Sequence, residues 1–264
     1  MQARRLCVAM LSIAATCVLL CACGGGQASS TGGAARVSGG VAHDVVSTIG
    51  KQSDSRPVPS RAQALAFAHA VNLSVGDIPE VSVEKKHVPT ATASERRESQ
   101  ACQRRAGWRN PHTIAEASSP KLRRGQELEI ERITSSVSVL SSEQAVARQF
   151  ALLSSPPLRA CLARVLARNL DDKRIREARW GHVSISRLPV DAPGTSATVG
   201  MRVLADLELP FSEVSVPFYE DVLGFAIGRA EVALVAASAT QPVPATTEQE
   251  LLALLLARAR AHPL

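Results

Sequence analysis

The chain has 264 residues, a formal net charge of +6 and only 3% aromatic residues. That length allows one domain with a sizeable core after a short N-terminal leader. The positive excess is mild, two of its cations (Arg4 and Arg5) lie in the leader, and stacking aromatics are scarce, so nucleic acid is not implied as a partner.

The leader is the first predicted element. Arg4-Arg5 precede an apolar run from Leu6 to Leu20, which ends in Leu20-Cys21-Ala22-Cys23 and three glycines. A charged start, a short apolar core and a small residue before the cut are the features of an export signal. The Leu-Cys-Ala-Cys sequence resembles the lipobox of bacterial lipoprotein signals. That resemblance implies a signal peptide over residues 1–22 and a lipid on Cys23, which becomes the first mature residue. Two acyl chains would anchor the protein stably. Two other readings of the same residues stand beside it: an uncleaved span at the short limit of length, and an ordinary secretory cut that leaves Cys23 as a free thiol. Gly24-Gly25-Gly26 fits neither and fits a tether. Residues 23–59, rich in Gly, Ser, Ala and Val, read as a flexible linker with a reach of roughly 30 to 36 Å.

The folded domain is expected over residues 60–264. Ser60 and Gln63 have capping-box spacing before Ala64, Leu65, Ala68 and Val71, which predicts a first helix ending near Asn72. Asn72-Leu73-Ser74 also matches a glycosylation sequon, a match that means little in a bacterial protein. A polar helix is predicted from Ser94 to Ala106, a strand over Gln126–Leu140, and helices opened by Ser141 and by Ser155-Pro156. Strands follow over His182–Ser186, Thr195–Leu209, Val214–Ile227 and Ala230–Ala239, then a helix opened by Thr247. Gly228-Arg229 suits a type II′ hairpin turn, and Pro217 points to an edge strand or a bulge. The expected fold is α+β, with a mainly antiparallel sheet of about five strands and helices packed on one face.

Of the six cysteines, only Cys102 and Cys161 fall in the domain. In an exported chain the pair is most simply a disulfide joining two helical layers; a redox-active pair usually has closer spacing. A closed loop of about 59 residues contributes roughly 4 kcal/mol by chain entropy.

The lipobox, the linker, the helix followed by Asp77-Ile78-Pro79, the cysteine pair flanking Ser135–Leu140, and the Gly228-Arg229 hairpin before a C-terminal helix make one pattern. It resembles exported sensor-type domains and small lipoproteins of high-GC Gram-positive bacteria. These include the extracytoplasmic domain of a receptor serine/threonine kinase and lipoproteins with a PsbP-like fold. The resemblance implies a domain that binds a small ligand, an envelope component or a partner protein. This chain departs from the kinase pattern in having no kinase domain and one candidate disulfide.

Chemistry-bearing motifs are sparse. The histidines at 43, 69, 87, 112, 182 and 262 lack metal-ligand spacing, and no Gly-x-Ser-x-Gly elbow is present. The stretch Arg164, Arg168, Lys173, Arg174, Arg176 and Arg179 suits either an anionic surface or a solvated helix end. Trp180 and His182 are a candidate pocket wall, with core burial of the indole as the alternative. Glu220 and Asp221 beside Tyr219 suit either acid–base chemistry or, since adjacent strand residues face opposite ways, a solvated turn or edge, and Phe218, Tyr219 and Phe225 suit either a partner-binding edge or hairpin packing. No cofactor is expected. The expected function is a non-enzymatic, lipid-anchored extracytoplasmic binding or sensor-type protein facing away from the cytoplasm. Its partners would be the membrane, through the lipid, and an envelope small molecule or protein. An envelope hydrolase or transferase with a motif-free site and an assembly protein are the alternatives.

Overall fold

The computed structural model describes residues 57–84, 93–108, 112–125, 131–171, 179–208 and 215–264. Cys23 with the leader, the linker up to residue 56, the start of the strand expected from Gln126, and Lys173, Arg174 and Arg176 lie outside the described residues.

Helix α1 (Arg61–Val71) forms where the capping box was expected: the Gln63 amide donates to Ser60 Oγ at 3.3 Å, and the Ser60 amide donates to Gln63 Oε1 at 2.9 Å. A 3₁₀ turn (Val75–Asp77), strand β1 (Ser82–Val83) and helix α2 (Ala93–Arg105) follow. Then come β2 (Thr113–Ser118), β3 (Leu122–Arg124), β4 (Glu131–Leu140), α3 (Glu143–Leu153), α4 (Pro156–Asp171), β5 (Arg179–Arg187), β6 (Ala197–Glu208), β7 (Ser215–Ile227), β8 (Ala230–Ala239) and α5 (Ala245–Ala261).

The sheet has eight strands in the order β1-β3-β4-β8-β7-β6-β5, with β2 paired to β4, and every pairing is antiparallel. The expectation of about five strands is therefore corrected to eight. The three extra strands are short, and β2 and β3 run end to end along one side of β4, pairing with Ser136–Leu140 and Glu131–Ile133. The break between them falls at Ser119-Pro120, because proline has no N–H for the ladder.

Helices cover both faces, which corrects the expectation of one. The cause is visible in β7, where Val222 to Ala226 are all buried. A strand apolar on both sides needs cover on both. On one face α3 and α4 pack through Val146, Phe150, Leu158 and Leu162 against Val199, Met201, Phe218 and Val222. On the other, α1 and α5 pack through Phe67, Val71, Leu252 and Leu255 against Val137, Leu223, Phe225 and Leu234.

Pro217 does not put its strand at an edge: β7 lies between β6 and β8. Its carbonyl accepts the Thr240 amide at 2.9 Å, so its nitrogen also faces the β8 side, beyond the last β8 residue, Ala239. No ladder bond is lost there. The β7–β8 turn has Gly228 at φ 55°, and Arg229 is not in the left-handed region, as a type II′ turn requires. Ser142 rather than Ser141 caps α3, its Oγ accepting from the Ala145 amide at 3.2 Å, and α5 begins at Ala245, two residues before Thr247.

Candidate functional site

The carboxylates of β7 are in the middle of the sheet, not at a solvated edge. Glu220 and Asp221 are 0% and 1% exposed and point to opposite faces. The register places Asp221 directly across from Arg202 of β6, and the guanidinium clasps the carboxylate with Nε at 2.7 Å and Nη2 at 2.6 Å. A two-pronged bond of this kind fixes direction as well as charge. Arg202 also lies over Tyr219, 5.7 Å from Cζ to the ring centroid.

Glu248, in the first turn of α5, closes over this pair and is 4% exposed. Burial, and then the hydrogen bond to Asp221 and its negative charge, push the Glu248 carboxyl up to about 8 against the opposing pull of Arg202. Glu248 is therefore protonated at neutral pH and serves as a donor to Asp221. The cluster stores one proton between two carboxyl groups and one guanidinium. Since both acids are enclosed, it fastens the start of α5 to the sheet and offers no open acid or base to a substrate.

A second acidic pair lies on the opposite face. Ser138 of β4 is register partner to both Glu116 of β2 and Glu231 of β8, so these two side chains flank it. Burial and then the Glu116 charge push Glu231 up to about 8, and burial raises Glu116. The side-chain amide of Gln149 of α3 faces the Glu231 carboxyl group. Sequence reasoning named none of Arg202, Glu248, Glu116 or Glu231. Glu116 and Glu231 are each the lone charge of an otherwise uncharged strand, but nothing local marks Arg202 or Glu248 as partners of Asp221.

The expected cysteine pair is joined: Cys102 and Cys161 form a disulfide with a Cα–Cα distance of 5.7 Å, tying α2 to α4. Trp180 is buried in the core on the α3–α4 face, with its indole nitrogen enclosed and unpartnered among the described residues. His182 lies beside it at a register shift and stands in solvent. Neither residue lines the cavities described below. Arg164 and Arg168 are exposed on α4.

Among the described residues, two open regions have room for a ligand. One is a groove of about 690 Å³ between α1 and the C-terminal end of α5, lined by Pro57, Val58, Phe67, Ala261 and Pro263. It continues into a space of about 230 Å³ beside Gly228 and Arg260. The other is a cleft of about 350 Å³ between the α3–α4 corner and the segment leaving β5, with Arg159 and Arg187 in its walls.

No family model matches the chain, and no curated protein matches it. Among solved structures, the extracellular domain of PknH from Mycobacterium tuberculosis matches at a TM-score of 0.37 and 10% identity, over 75% of this chain and 97% of that one.

Proposed function

We propose that this chain is a lipid-anchored extracytoplasmic binding or sensor-type protein of a bacterial cell envelope, held by Cys23 and free of catalytic activity. The observation that carries the reading is the Cys102–Cys161 disulfide between α2 and α4. Structural disulfides persist in oxidising compartments, and the leader ending at Cys23 supplies the route to one. The non-enzymatic part is supported by the placement of a shifted acid. Glu248 is 4% exposed and closed in at the start of α5, bonded to a buried Asp221, whereas a general acid or base has to reach its substrate.

Intact mass of the full chain, extracted from membranes with and without reductant, tests the reading. The expected species starts at Cys23, carries the mass of a diacylglycerol and gains two hydrogens on reduction. Cys23→Ala should abolish labelling by a fatty-acid probe. An uncleaved or unlipidated mass, or both domain thiols open to alkylation before reduction, would overturn it.

A further inference from the structure

We propose that the cleft between the α3–α4 corner and the end of β5 binds the oxyanion head, phosphate or carboxylate, of a small ligand, with Arg159 and Arg187 as its cationic walls. This rests on the reading of the chain as a binding protein and names the class of ligand; it does not depend on the lipid anchor.

The cleft holds about 350 Å³, the small end of the range of about 300 to 1,000 Å³ common for ligand sites. Arg159 comes from the first turns of α4 and is half-buried; Arg187 is the last residue of β5 and stands exposed at the rim. No acidic residue lines the space. Neither guanidinium has a carboxylate partner among the described residues. The arginines with structural duties differ in this: Arg124, Arg202 and Arg258 each meet a carboxylate at 2.6 Å, in Glu131, Asp221 and Asp77. Two like charges facing one cleft, with no counter-ion among the described residues, favour an anion between them, and planar guanidinium groups match phosphate and carboxylate oxygens.

Other features point the same way. The N-terminal end of the 16-residue helix α4 opens beside the cleft and adds its partial positive charge. Ser154 and Thr198 bring hydroxyl groups to the wall, while Val190 and Met201 give it an apolar side. The neighbouring Ser155 has its Oγ buried and unpartnered among the described residues. The wall is also firm. The chain from Leu188 to Val190 crosses β6 at Gly200, so close that a Cβ there would stand 2.5 Å from the Leu188 carbonyl oxygen. A ligand with one charged head and a short apolar part fits this lining.

Calorimetric titration of the detergent-solubilised full chain with inorganic phosphate, butyl phosphate and butyrate tests the proposal. Butyl phosphate should bind more tightly than inorganic phosphate, and the order of butyl phosphate against butyrate identifies the head group. Arg159→Gln and Arg187→Gln should each weaken the better probe about 10-fold, and the pair together about 100-fold. Arg187→Lys should recover part of the loss, because it keeps the charge without the fork. Arg61→Gln, an exposed cation on α1, should change nothing. Thermal melts identify any variant that fails to fold, and the lysine variant then carries the comparison. Equal affinity in the double variant, or no binding of any probe up to about 10 mM, overturns the cleft assignment. A wrong anchor would appear in the mass measurement and leave these affinities untouched.

Discussion

Asn72 and Ser135, 63 positions apart, meet through a buried hydrogen bond in which Ser135 Oγ donates to Asn72 Oδ1 at 2.7 Å. The Asn72 amide nitrogen donates to the carbonyls of Ala68 and Ala117, each at 2.9 Å, and the Leu73 amide donates to Ser135 Oγ at 2.9 Å. One side chain thus ends α1, binds β2 and grips β4. Asn72→Ala leaves the Ala117 carbonyl and the Ser135 hydroxyl without this partner inside the protein. It is expected to cost about 2 to 3 kcal/mol, read as a lower urea midpoint at unchanged slope. An unchanged midpoint would show that water replaces the amide. The same burial removes Asn72 from reach as a sequon.

The disulfide has a separable effect. It joins α2 to α4 across 59 positions. Cys102→Ala with Cys161→Ala should cost about 2 to 4 kcal/mol, a fall in Tm of roughly 5 to 15 °C for a domain of this size. Since α2 meets the remainder of the fold chiefly through α4, hydrogen exchange should rise first over Ala93–Arg105. Uniform exchange along the chain would contradict that order.

Stability should fall on both sides of a broad optimum. Glu231 and Glu248 have folded pKa values raised to about 8, so the folded state holds their protons more tightly than the unfolded chain does. The stabilisation is complete below the ordinary carboxylate value and is lost as pH rises through about 8. Asp77 behaves oppositely. Burial raises it, but hydrogen bonds from Arg258 and Ser74 outweigh burial and leave it lowered, so its contribution is lost as pH falls. Between pH 6 and pH 9 the Tm should drop by about 5 °C. In Glu231→Gln with Glu248→Gln the drop should be less than half as large, because glutamine stays neutral and still donates to Asp221. Asp77→Asn should flatten only the acid limb. Parallel melting profiles for the wild type and the double glutamine variant would sink the assignment.

The hairpin of β7 and β8 was legible in the sequence because long β-rich runs flank a glycine turn, and α1 was legible because its cap is local. The missed strands had weak signals: β2 turns alanines inward at Ala115 and Ala117, and β3 is three residues long. Two-faced burial could have been read from the run Val222–Ala226, which has no polar alternation. The acid clusters could not. Arg202 meets Asp221 only once the β6–β7 register is set, and Glu248 arrives from a helix whose docking no local pattern encodes.

Gly200 gives the sharpest test of how the cleft is built. It lies within β6, where glycine is otherwise unfavourable, and its amide partner across the crossing is Leu188, whose N–H donates to the Gly200 carbonyl at 2.9 Å. A Cβ added there would stand 2.5 Å from the Leu188 oxygen and 2.7 Å from Val190 Cγ2. The first of these is backbone and cannot swing aside, so Gly200→Ala has to lift the segment from the sheet. A cost of about 1 to 3 kcal/mol is expected, together with weaker binding of the phosphate probe, because the displaced segment forms a wall of the cleft. Gly76→Ala is the control: nothing lies within 4 Å of a Cβ at Gly76. If urea midpoints of the two variants coincide, the segment is mobile enough to yield. A lower midpoint for Gly200→Ala with undiminished phosphate binding would place the ligand away from that wall.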